Sequence, residues 1–558
     1  MTATPRPSSV PSVSVSLQSV AECAGVSPAP RTVTPTVAQA VADSPVRVSG
    51  VTLDSRAVRP GDLYAALPGA NVHGARFVDA AVGLGAVAVL TDPAGADLLA
   101  VARPRVPLLV VPDPRAVLGD VAALVYGRAS QSLTMLGITG TNGKTTTAYL
   151  LDSALRALGQ VTGLIGTVET RIGQDVIKSV RTTPESPDLH ALFAVMLERG
   201  VDTCTMEVSS HALALHRVDG VRFDVAAFAN LSQDHLDFHG SMEDYFLAKA
   251  SLFTPERAVR AVVCVDDKWG RRLARESLVP LVSVSSRPEI PADWQITTTG
   301  SDESAFELIG DGQCLSLRSA LAGDFNRVNT GVAALVLMAA GHSAEAVEAA
   351  LAADPHVPGR MERVRVEGDV APGDAHPGLL PLAIVDFAHT PDAVAAALTA
   401  LRHITSGSLI AVLGAGGDRD SGKRAAMGAA AAAYADVVIV TDDNPRSEDP
   451  AAIRAAVLAG VAEQEPDQSS ARPATSIREI GDRGAAIREA VAAAGVGDTV
   501  VILGKGHESG QESAGVVHPF DDRAQLRAAL IEHVAAMDKT GSMDKTGSMD
   551  KTGSGERG

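Results

Sequence analysis

The sequence has few cysteines and no long apolar segment, and each of these features excludes a class of protein. Its four cysteines (Cys23, Cys204, Cys264 and Cys314) show no paired spacing. This excludes a disulfide framework and a thiolate zinc site and fits a reducing compartment. No run approaches the roughly 18 apolar residues that span a bilayer, and the N-terminus lacks the pattern of a secretory signal. We therefore expect a cytoplasmic protein without a membrane span.

Basic residues are also in deficit, since 48 Lys+Arg stand against 66 Asp+Glu for a formal net charge of −18. A protein that coats nucleic acid needs a net basic surface or a basic face, so no nucleic-acid partner is expected. Hydrophobic residues make up 46% of the chain and charged residues 20%, which is typical of globular proteins and too apolar for a disordered chain. At about 100–200 residues per domain, the length predicts roughly three domains.

Short apolar runs alternate with alanine-rich helical stretches over most of the chain, a pattern typical of βαβ units and mostly parallel sheets. The predicted fold class is therefore α/β. Shifts in composition divide it into domains over residues 47–125, 126–355 and 356–536. Residues 1–46, rich in Ser, Thr, Pro and Val, and residues 537–558, which hold three MDKTGS repeats, are predicted to be disordered.

Many predicted strands end in polar clusters: GTNGKTT, EVSSH, NLSQDH, DFAHTP, GAGGDRD, TDDNPR and GKGHE. In open α/β sheets, ligands bind beyond the carboxyl ends of the strands. These clusters are therefore interpreted as active-site loops.

The segment GITGTNGKTT (Gly137–Thr146) follows a predicted strand and opens a predicted helix. Glycines let backbone N–H groups wrap a phosphate, and the helix N-terminus adds positive partial charge. Lys144 can neutralise the β- and γ-phosphate oxygens of ATP, and the Thr145 hydroxyl can ligate Mg²⁺. Ile138 stands where the usual motif has its first glycine. A plain glycine-rich turn is the less favoured alternative.

Three further residues are ambiguous on their own. Glu207 ends an apolar run, where a carboxylate could hold a second Mg²⁺, but taken alone it is more often a surface acid or a helix-cap partner. His235 could be a ligand or a satisfied structural histidine. Lys249 lies among apolar neighbours of a predicted helix, where a snorkelling lysine is the default interpretation.

Taken together, the motifs resemble the Mur ligase family, in the expected order and over roughly Val51–Asp522. The segments that carry the resemblance are GITGTNGKTT, TTPES, EVSSHAL, NLSQDHLDFHG, AKASLF, VPGRME, VDFAHTPD, GGDRDSGKR, DDNPR and GKGHE. The resemblance implies a UDP-sugar-binding N-terminal domain, a P-loop-type ATPase-like central domain and a Rossmann-like C-terminal domain that closes over the site. Within the family, the match is closest to the enzymes that add the third peptide residue.

The activity implied by the resemblance is an ADP-forming, ATP-dependent ligation in peptidoglycan precursor synthesis. The expected reaction joins a diamino acid, diaminopimelate before lysine, to the D-Glu of UDP-N-acetylmuramoyl-L-alanyl-D-glutamate through an acyl phosphate. The partners are small molecules, with ATP as co-substrate and Mg²⁺ as cofactor.

The resemblance also assigns roles to individual residues. Expected contacts to the UDP moiety are Leu53, Ser55, Ala70, Asn71 and Val72. The muramoyl-dipeptide would be held by Thr182, Thr183, Ser209 and Arg217. ATP would be contacted by Gly140, Thr141, Asn142, Gly143, Lys144, Thr145, Thr146, Asn326, Asn329, Arg360, Asp386 and His389. The expected Mg²⁺ ligands are Thr145, Glu207, His235 and Lys249, the last as N6-carboxylysine, and the catalytic set is Lys144, Glu207, His235 and Lys249.

The incoming amino acid would be bound by Arg419, Asp443, Asn444, Pro445, Arg446, Gly504 and Glu508. Diaminopimelate differs from lysine by one terminal carboxylate, which the planar guanidinium of Arg446 can grip with two parallel hydrogen bonds. Glu508 would take the amino group beside that carboxylate.

The chain departs from the family pattern at three positions: Leu215 stands for a glutamine of some members, Phe387 for a tyrosine and Gly510 for an aromatic residue. One rival interpretation is a folylpolyglutamate synthetase, against which the TLDSR and DNPR segments speak. Another is a non-catalytic P-loop ATP-binding protein. A requirement for both co-substrates in phosphate release would exclude the second.

Overall fold

The computed structural model describes residues 4–7, 14–26, 46–69, 71–102, 104–298, 300, 302, 304–353, 355–366, 380–462, 474 and 476–546. The chain divides into two compact units. The first unit comprises residues 1–231, 241–320 and 327–355, and the second comprises residues 232–240, 321–326 and 356–558. Among the described residues, no helix has both the length and the apolar character that a membrane crossing requires.

The N-terminal part of the first unit is a parallel sheet with the strand order β3-β4-β5-β6, covered by helices. Along β4, Leu63 and Ala65 face one apolar cluster while Tyr64 and Ala66 face the other, because alternate residues of a strand point to opposite faces. The elements are β1 (Val15–Ser16), α1 (Leu17–Cys23), β2 (Arg47–Val48), β3 (Gly50–Thr52), β4 (Asp62–Ala66), α2 (Val78–Gly83), β5 (Ala88–Thr91), α3 (Pro93–Ala102), β6 (Leu108–Val110) and α4 (Pro114–Val125).

The prediction that residues 1–46 are disordered is wrong for residues 14–26. There β1 pairs with β2, and α1 is capped by the Ser16 hydroxyl, which accepts a hydrogen bond from the Ser19 N–H at 3.1 Å. Leu17 and Val20 are fully buried in the core of the N-terminal sheet. The surrounding lead is rich in Ser, Val and Pro, but the helix itself reads LQSVAEC, in which Leu, Gln, Ala and Glu favour a helix. Much of the remaining lead lies outside the described residues.

The central part of the first unit is a sheet of eleven described strands in the order β10-β9-β8-β11-β7-β12-β13-β14-β15-β16-β17. It is parallel from β8 to β15 and antiparallel at both edges. Its strands are β7 (Thr134–Thr139), β8 (Thr162–Ile165), β9 (Glu169–Ile172), β10 (Asp175–Lys178), β11 (Thr203–Glu207), β12 (Phe223–Phe228), β13 (Ala258–Cys264), β14 (Leu281–Ser285), β15 (Trp294–Thr298), β16 (Ala305–Gly310) and β17 (Gln313–Arg318).

The helices of this central part include α5, which follows the phosphate loop. The helices are α5 (Lys144–Ala157), α6 (Ser186–Glu198), α7 (Ser210–Ala214), α8 (Leu236–His239, in the second unit), α9 (Met242–Ala250), α10 (Lys268–Glu276), α11 (Asp324–Ala339) and α12 (Ala344–Leu351). The predicted parallel core is confirmed, but the antiparallel edges were not predicted. The registers Met206–Gly137 and Glu207–Ile138 place Glu207 beside the start of the phosphate loop.

The second unit contains a sheet with the order β18-β19-β23-β20-β21-β22, parallel except for β18. Four neighbouring strands, β19, β23, β20 and β21, end in the DFAHTP, GKGHE, GAGGDRD and TDDNPR loops. The elements are β18 (Glu362–Arg363), β19 (Leu382–Asp386), α13 (Pro391–Ile404), β20 (Leu409–Leu413), α14 (Arg424–Tyr434), β21 (Val437–Val440), α15 (Pro450–Ala462), β22 (Ser476–Glu479), α16 (Arg483–Ala493), β23 (Thr499–Leu503), β24 (Gly510–Ser513), β25 (Val516–Pro519) and α17 (Asp522–Thr546).

The predicted disorder from residue 537 onward is also wrong for residues 537–546, because α17 continues through them to Thr546. Leu526 and Leu530 are buried in the core, which nucleates the helix. Each further turn then needs only elongation, which is much less costly than nucleation. Residues 547–558 lie outside the described residues.

A fully buried ion pair lies beneath the polar loops of the second unit. The Arg483 guanidinium donates from Nε and Nη2 to the Asp522 carboxylate at 2.7 and 2.8 Å, and both side chains have 0% exposure. Nη2 also donates to the Leu503 carbonyl at 2.9 Å, at the end of β23. The pair therefore ties two helix N-termini to the strand that precedes the GKGHE loop.

We expect Arg483→Met to destabilise the second unit by about 3–5 kcal/mol, because it leaves a buried carboxylate without its counter-ion. Urea unfolding followed by circular dichroism measures the effect. Arg478→Met, which breaks the exposed pair with Glu489, is the matched control. The double variant Arg483→Met/Asp522→Leu should recover much of the loss. Equal midpoints for Arg483→Met and Arg478→Met would contradict this role of the pair.

Candidate active site

The phosphate loop joins β7 to α5 in the conformation that its glycines permit. Gly140 and Gly143 have φ values of +155° and +85°. A Cβ on Gly143 would also lie 2.4 Å from Asn329 Oδ1, so both the positive φ and the lack of space require glycine at this position. The Lys144 ammonium donates to the carbonyls of Gly140 and Thr141, both at 2.9 Å. The loop is thus closed on itself, with the lysine lying over it, while Thr145 and Thr146 are buried in the first turn of α5.

Asn230 supports this loop from the end of the neighbouring strand, although no pattern within the NLSQDH segment distinguishes it from its neighbours. Its Oδ1 accepts from the Asn142 N–H at 2.9 Å, and its Nδ2 donates to the Asn142 carbonyl at 3.2 Å. The Thr141 N–H donates to the Asn230 carbonyl at 3.0 Å. The Asn230 side chain therefore bonds both the N–H and the carbonyl of Asn142, as a neighbouring β-strand would.

Glu207 is 1% exposed, so the alternative of a surface acid is wrong. Its Oε2 accepts from the Thr145 hydroxyl at 2.9 Å and from the Thr167 hydroxyl at 3.0 Å, and its Oε1 accepts from the Thr167 N–H at 2.8 Å. A buried carboxylate needs such donors, because an unpaired buried charge is strongly unfavourable. The arrangement holds an anion directly against the first turn of α5.

Oxygen ligands and a compact carboxylate suit Mg²⁺, which is usually bound by one or two protein groups together with substrate phosphates and water. The Thr145 hydroxyl and the Glu207 carboxylate meet that description. Within the described part of the chain, no group of three or more His, Cys, Asp or Glu side chains could enclose a metal ion. The residues therefore fit an ion that completes its coordination with nucleotide oxygens.

Thr167, which lies outside the recognised motifs, connects Glu207 to the expected substrate threonines. Its hydroxyl lies 3.0 Å from the Thr182 hydroxyl. Because its single proton goes to Glu207, Thr182 must donate to Thr167. Thr183 in turn donates from Oγ1 to the Glu207 carbonyl at 2.8 Å and accepts from the Ser209 N–H at 3.1 Å. The TTPES segment is therefore joined to Glu207 twice, through Thr167 at the carboxylate and through Thr183 at the main-chain carbonyl.

Lys249 is 1% exposed, so the alternative of a snorkelling lysine is wrong. Its ammonium donates to the Gly140 carbonyl at 2.8 Å and lies 4.8 Å from the centre of the Tyr245 ring. The Tyr245 hydroxyl is 3.1 Å from Thr141 Oγ1. The amine thus lies behind the phosphate loop, within its hydrogen-bond network.

Arg217 shares one carboxylate with two other arginines. Glu185 is 2.9 Å from Arg217 Nε, 3.0 Å from Arg115 Nη1 and 2.9 Å from Arg181 Nη1. Burial lowers the pKa of the Arg217 guanidinium despite the Glu185 charge. Three cations on one anion leave a surplus of positive charge two residues from Thr183. Arg115 was not identified from the sequence, and it also donates to the carbonyl of Leu215 at 3.3 Å.

The residues expected to contact UDP lie in the loops after β3 and β4. Leu53 and Ser55 are half-buried in the first loop, whereas Asn71 and Val72 are exposed in the second. Ala70 lies outside the described residues. The Tyr64 hydroxyl donates to the Gly74 carbonyl at 3.0 Å and fixes the end of the second loop.

In the second unit, Phe387 forms a platform for the residues expected to contact ATP. The Arg360 guanidinium lies 4.1 Å from the centre of its ring, and the His389 ring packs edge-on at 4.5 Å. Asp386 accepts from the N–H groups of Met361 and Ala388 at 2.7 and 2.8 Å, although burial raises the pKa of its carboxyl. The Phe387 ring, which stands where the family usually has a tyrosine, thus packs against both side chains and offers no hydroxyl. Asn326 is also buried here.

Asp234, which was not identified from the sequence, lies among three basic groups of the same unit. It is 3.4 Å from His235 Nε2, 3.4 Å from Lys423 Nζ and 3.8 Å from His389 Nε2. Burial opposes its ionisation, but the charges of His235 and Lys423 outweigh burial and lower its pKa to about 2. Burial and the Lys423 charge lower the pKa of His389 to about 4, so this imidazole is neutral at pH 7.

Three of the residues expected to bind the amino acid surround Lys505, a lysine with 0% exposure. Its ammonium donates to Asn444 Oδ1 at 3.0 Å and to Glu508 Oε2 at 2.9 Å, and it lies 3.7 Å from Asp443 Oδ1. A Cβ on Gly504 would lie 2.5 Å from the Asp443 carboxylate, which explains the glycine there. Pro445 is buried beside them, whereas Arg419 is exposed.

Over most of its length the chain is similar to known proteins. Three family models match: "Mur ligase family, catalytic domain" over residues 47–126, "Mur ligase middle domain" over residues 138–337 and "Mur ligase, glutamate ligase domain" over residues 359–506. The UDP-N-acetylmuramoyl-L-alanyl-D-glutamate--2,6-diaminopimelate ligase of Streptomyces avermitilis is 55% identical over 486 residues, which cover 87% of this chain and 92% of that protein. The chain belongs to the Mur ligase family.

Two further relatives agree with this assignment. The ligase of the same description from Streptomyces coelicolor is 54% identical over 494 residues, 88% of this chain and 94% of its own. A solved structure of a UDP-N-acetylmuramoyl-L-alanyl-D-glutamate--2,6-diaminopimelate ligase superposes with a TM-score of 0.60 at 30% identity, covering 93% of this chain and 99% of that chain. This Mur ligase is therefore an ATP-dependent ligase, and the α/β fold predicted from its sequence is confirmed.

We expect Thr167→Val to lower kcat of this Mur ligase by about 10–100-fold, the usual cost of removing a hydrogen-bond donor to a carboxylate that holds a metal ion, the role expected of Glu207. It should also raise the Mg²⁺ concentration that half-saturates nucleotide binding, because one donor to Glu207 is lost. Steady-state kinetics and nucleotide-binding titrations at varied Mg²⁺ measure both effects. Thr167→Ser keeps the hydroxyl and is the matched control. Parent-like Mg²⁺ dependence in Thr167→Val would contradict the assignment.

Proposed function

We propose that this Mur ligase joins a diamino acid, diaminopimelate, to the D-Glu residue of UDP-N-acetylmuramoyl-L-alanyl-D-glutamate, acting in the cytoplasm on small-molecule substrates. The observation that carries the proposal is the contact of Glu207 with both the phosphate-loop threonine Thr145 and the Thr167–Thr182 pair. It brings the expected sites of ATP and of the acceptor peptide to one carboxylate. The names of relatives at 54–55% identity support the choice of substrates.

A carboxylate does not form an amide directly, because oxide is too poor a leaving group. Transfer of the γ-phosphoryl group of ATP to the D-Glu side-chain carboxylate gives an acyl phosphate with a good leaving group. The transferring group carries negative charge on several oxygens, so positioned cations provide most of the catalysis. Lys144 is the fixed cation of the loop, and bound Mg²⁺ would add charge neutralisation at Thr145 and Glu207.

The amine of the incoming amino acid then attacks the acyl carbon, and phosphate leaves from the tetrahedral intermediate. The surplus positive charge of Arg217, Arg115 and Arg181 beside Thr183 suits an acceptor that is itself a polyanion. Water must be kept from the acyl phosphate, which it would hydrolyse.

Lys249 enters the proposal as a carbamate, formed by addition of CO₂ to its neutral amine. The modification would turn a buried cation next to Gly140 into an anion that positions Mg²⁺. His235 is the other proposed ligand. Crystallography of the nucleotide-bound, active enzyme distinguishes the carbamate from a free amine, which would refute this part of the proposal.

The test of the proposed function is phosphate release from ATP in the presence and absence of each co-substrate. We expect release to require both UDP-N-acetylmuramoyl-L-alanyl-D-glutamate and diaminopimelate. Lys144→Ala should lower it by on the order of 10²–10³-fold, because the γ-phosphoryl charge loses its closest fixed cation. Release without either co-substrate would identify a simple ATPase and refute the proposal.

The choice of diaminopimelate over lysine depends on Arg446. Its guanidinium donates from Nη1 to the Gly417 carbonyl at 2.7 Å, which holds the side chain between the DNPR and GAGGDRD loops. Lysine offers this guanidinium no carboxylate for a contact through two parallel hydrogen bonds, so lysine should be rejected by about 100-fold or more.

We therefore expect Arg446→Ala to reduce kcat/KM for diaminopimelate far more than for lysine. The comparison uses both amino acids with the parent and the variant. A parent enzyme that prefers lysine, or a variant that loses both activities equally, would show that Arg446 does not select the substrate.

A further inference from the structure

The hairpin of β24 and β25 is docked along the DNPR turn. The Arg446 N–H donates to the Glu512 carbonyl at 3.0 Å, and the Ala514 N–H donates to the Arg446 carbonyl at 2.7 Å. Arg446 has a φ of +53°, a conformation that is uncommon for residues other than glycine. The hairpin holds it there by bonding both its N–H and its carbonyl.

Hydrogen bonds that involve side chains also join the hairpin to the DNPR turn. The Glu512 N–H donates to Asn444 Oδ1 at 2.9 Å, and Gln511 Nε2 donates to the Asp443 carbonyl at 2.7 Å. The backbone of Glu512 is therefore bonded on both sides to the residues proposed to bind the amino acid. Its Cα cannot move without disturbing that pocket.

The Glu512 side chain differs from that of Glu508 in how its charge is used. Glu508 Oε2 accepts from Lys505 Nζ and from Asn444 Nδ2, both at 2.9 Å, so its charge is shared with a buried cation. Glu512 Oε2 lies 3.4 Å from Arg446 Nε, and the side chain is 40% exposed. Partly exposed pairs of this kind are weak, so little is lost when a ligand separates them.

We propose that Glu512 is a specificity residue that binds the ammonium group at the far end of the diamino acid, beside the carboxylate held by Arg446. The inference rests on the proposed function. Diaminopimelate carries an ammonium and a carboxylate on one carbon at that end. A guanidinium next to a carboxylate is the electrostatic complement of such a pair, and the structure places Arg446 and Glu512 side by side.

Binding then exchanges one set of charge contacts for another. The substrate carboxylate takes the guanidinium of Arg446, for which a two-bond geometry is available. Glu512, released from Arg446, turns to the ammonium. Because an ammonium has three N–H donors, it can bond Glu512 and Glu508 together. Both carboxylates therefore bind the substrate ammonium group, and Arg446 binds the substrate carboxylate on the same carbon.

The experiment compares diaminopimelate with 2-aminopimelate, which has the same chain and both carboxylates but lacks the far amine. We expect the parent to prefer diaminopimelate in kcat/KM. Glu512→Gln should reduce that preference by about tenfold, the effect of losing one partly solvated charge-assisted hydrogen bond. The loss should lie in KM for diaminopimelate, with kcat and the kinetics of 2-aminopimelate little changed.

The matched control is Glu489→Gln, which removes an exposed carboxylate paired with Arg478 on the same unit, remote in sequence from the pocket motifs. It should leave the preference between the two amino acids unchanged. Thermal melting of both variants checks that the fold is intact.

An unchanged preference in Glu512→Gln would overturn the inference while leaving the proposed function in place. An equal loss for both amino acids would also overturn it, because it would show that Glu512 only supports the shape of the pocket. Failure of the parent to use diaminopimelate with the muramoyl-dipeptide would instead refute the proposed function.

Discussion

Burial of the Glu207 carboxylate is the constraint around which the first unit is arranged. A charge that is 1% exposed must be surrounded by donors, and here the donors come from Thr145 and Thr167, in separate parts of the chain. The parallel register of β11 and β7 brings the phosphate loop to this point. The turn after β8 brings the second threonine, and a Cβ on Gly166 would lie 2.4 Å from the carboxylate. Satisfying one anion thus fixes the relative position of three loops.

In the second unit, the buried charge that needs compensation is a cation. Lys505 has no exposed surface, and it is compensated by Asn444, Glu508 and Asp443. Beneath it, the Arg483–Asp522 pair holds the strand end from which the lysine loop starts. Lys505 and the Arg483–Asp522 pair can form their hydrogen bonds and ion pairs in few ways. This favours one arrangement of the DNPR and GKGHE loops over others. The charged side chains of the proposed amino-acid pocket therefore have fixed positions relative to one another.

The sequence predicts the parallel core well, because apolar runs followed by polar clusters reflect buried strands that end at a ligand-binding edge. It could not resolve Glu207 or Lys249 alone, since burial is a property of the fold and neither residue type reveals it. Thr167 and Glu512 gave no local signal at all, because their significance depends on contacts with residues 40 and 66 positions away. The helix α1 was missed because its seven residues lie within a Ser-, Val- and Pro-rich stretch, and the hairpin after GKGHE because its strands are short.

The position of Lys144 has a consequence for how a nucleotide enters. Its ammonium is already bonded to the carbonyls of Gly140 and Thr141, and Asn230 already braces Asn142. Contacts within the protein therefore fix the shape of the loop, and most of its conformational entropy is lost when the chain folds rather than when a ligand binds. Phosphate binding then requires the exchange of a few hydrogen bonds but little ordering of the loop. A preorganised site gains affinity because this entropic cost of binding is avoided.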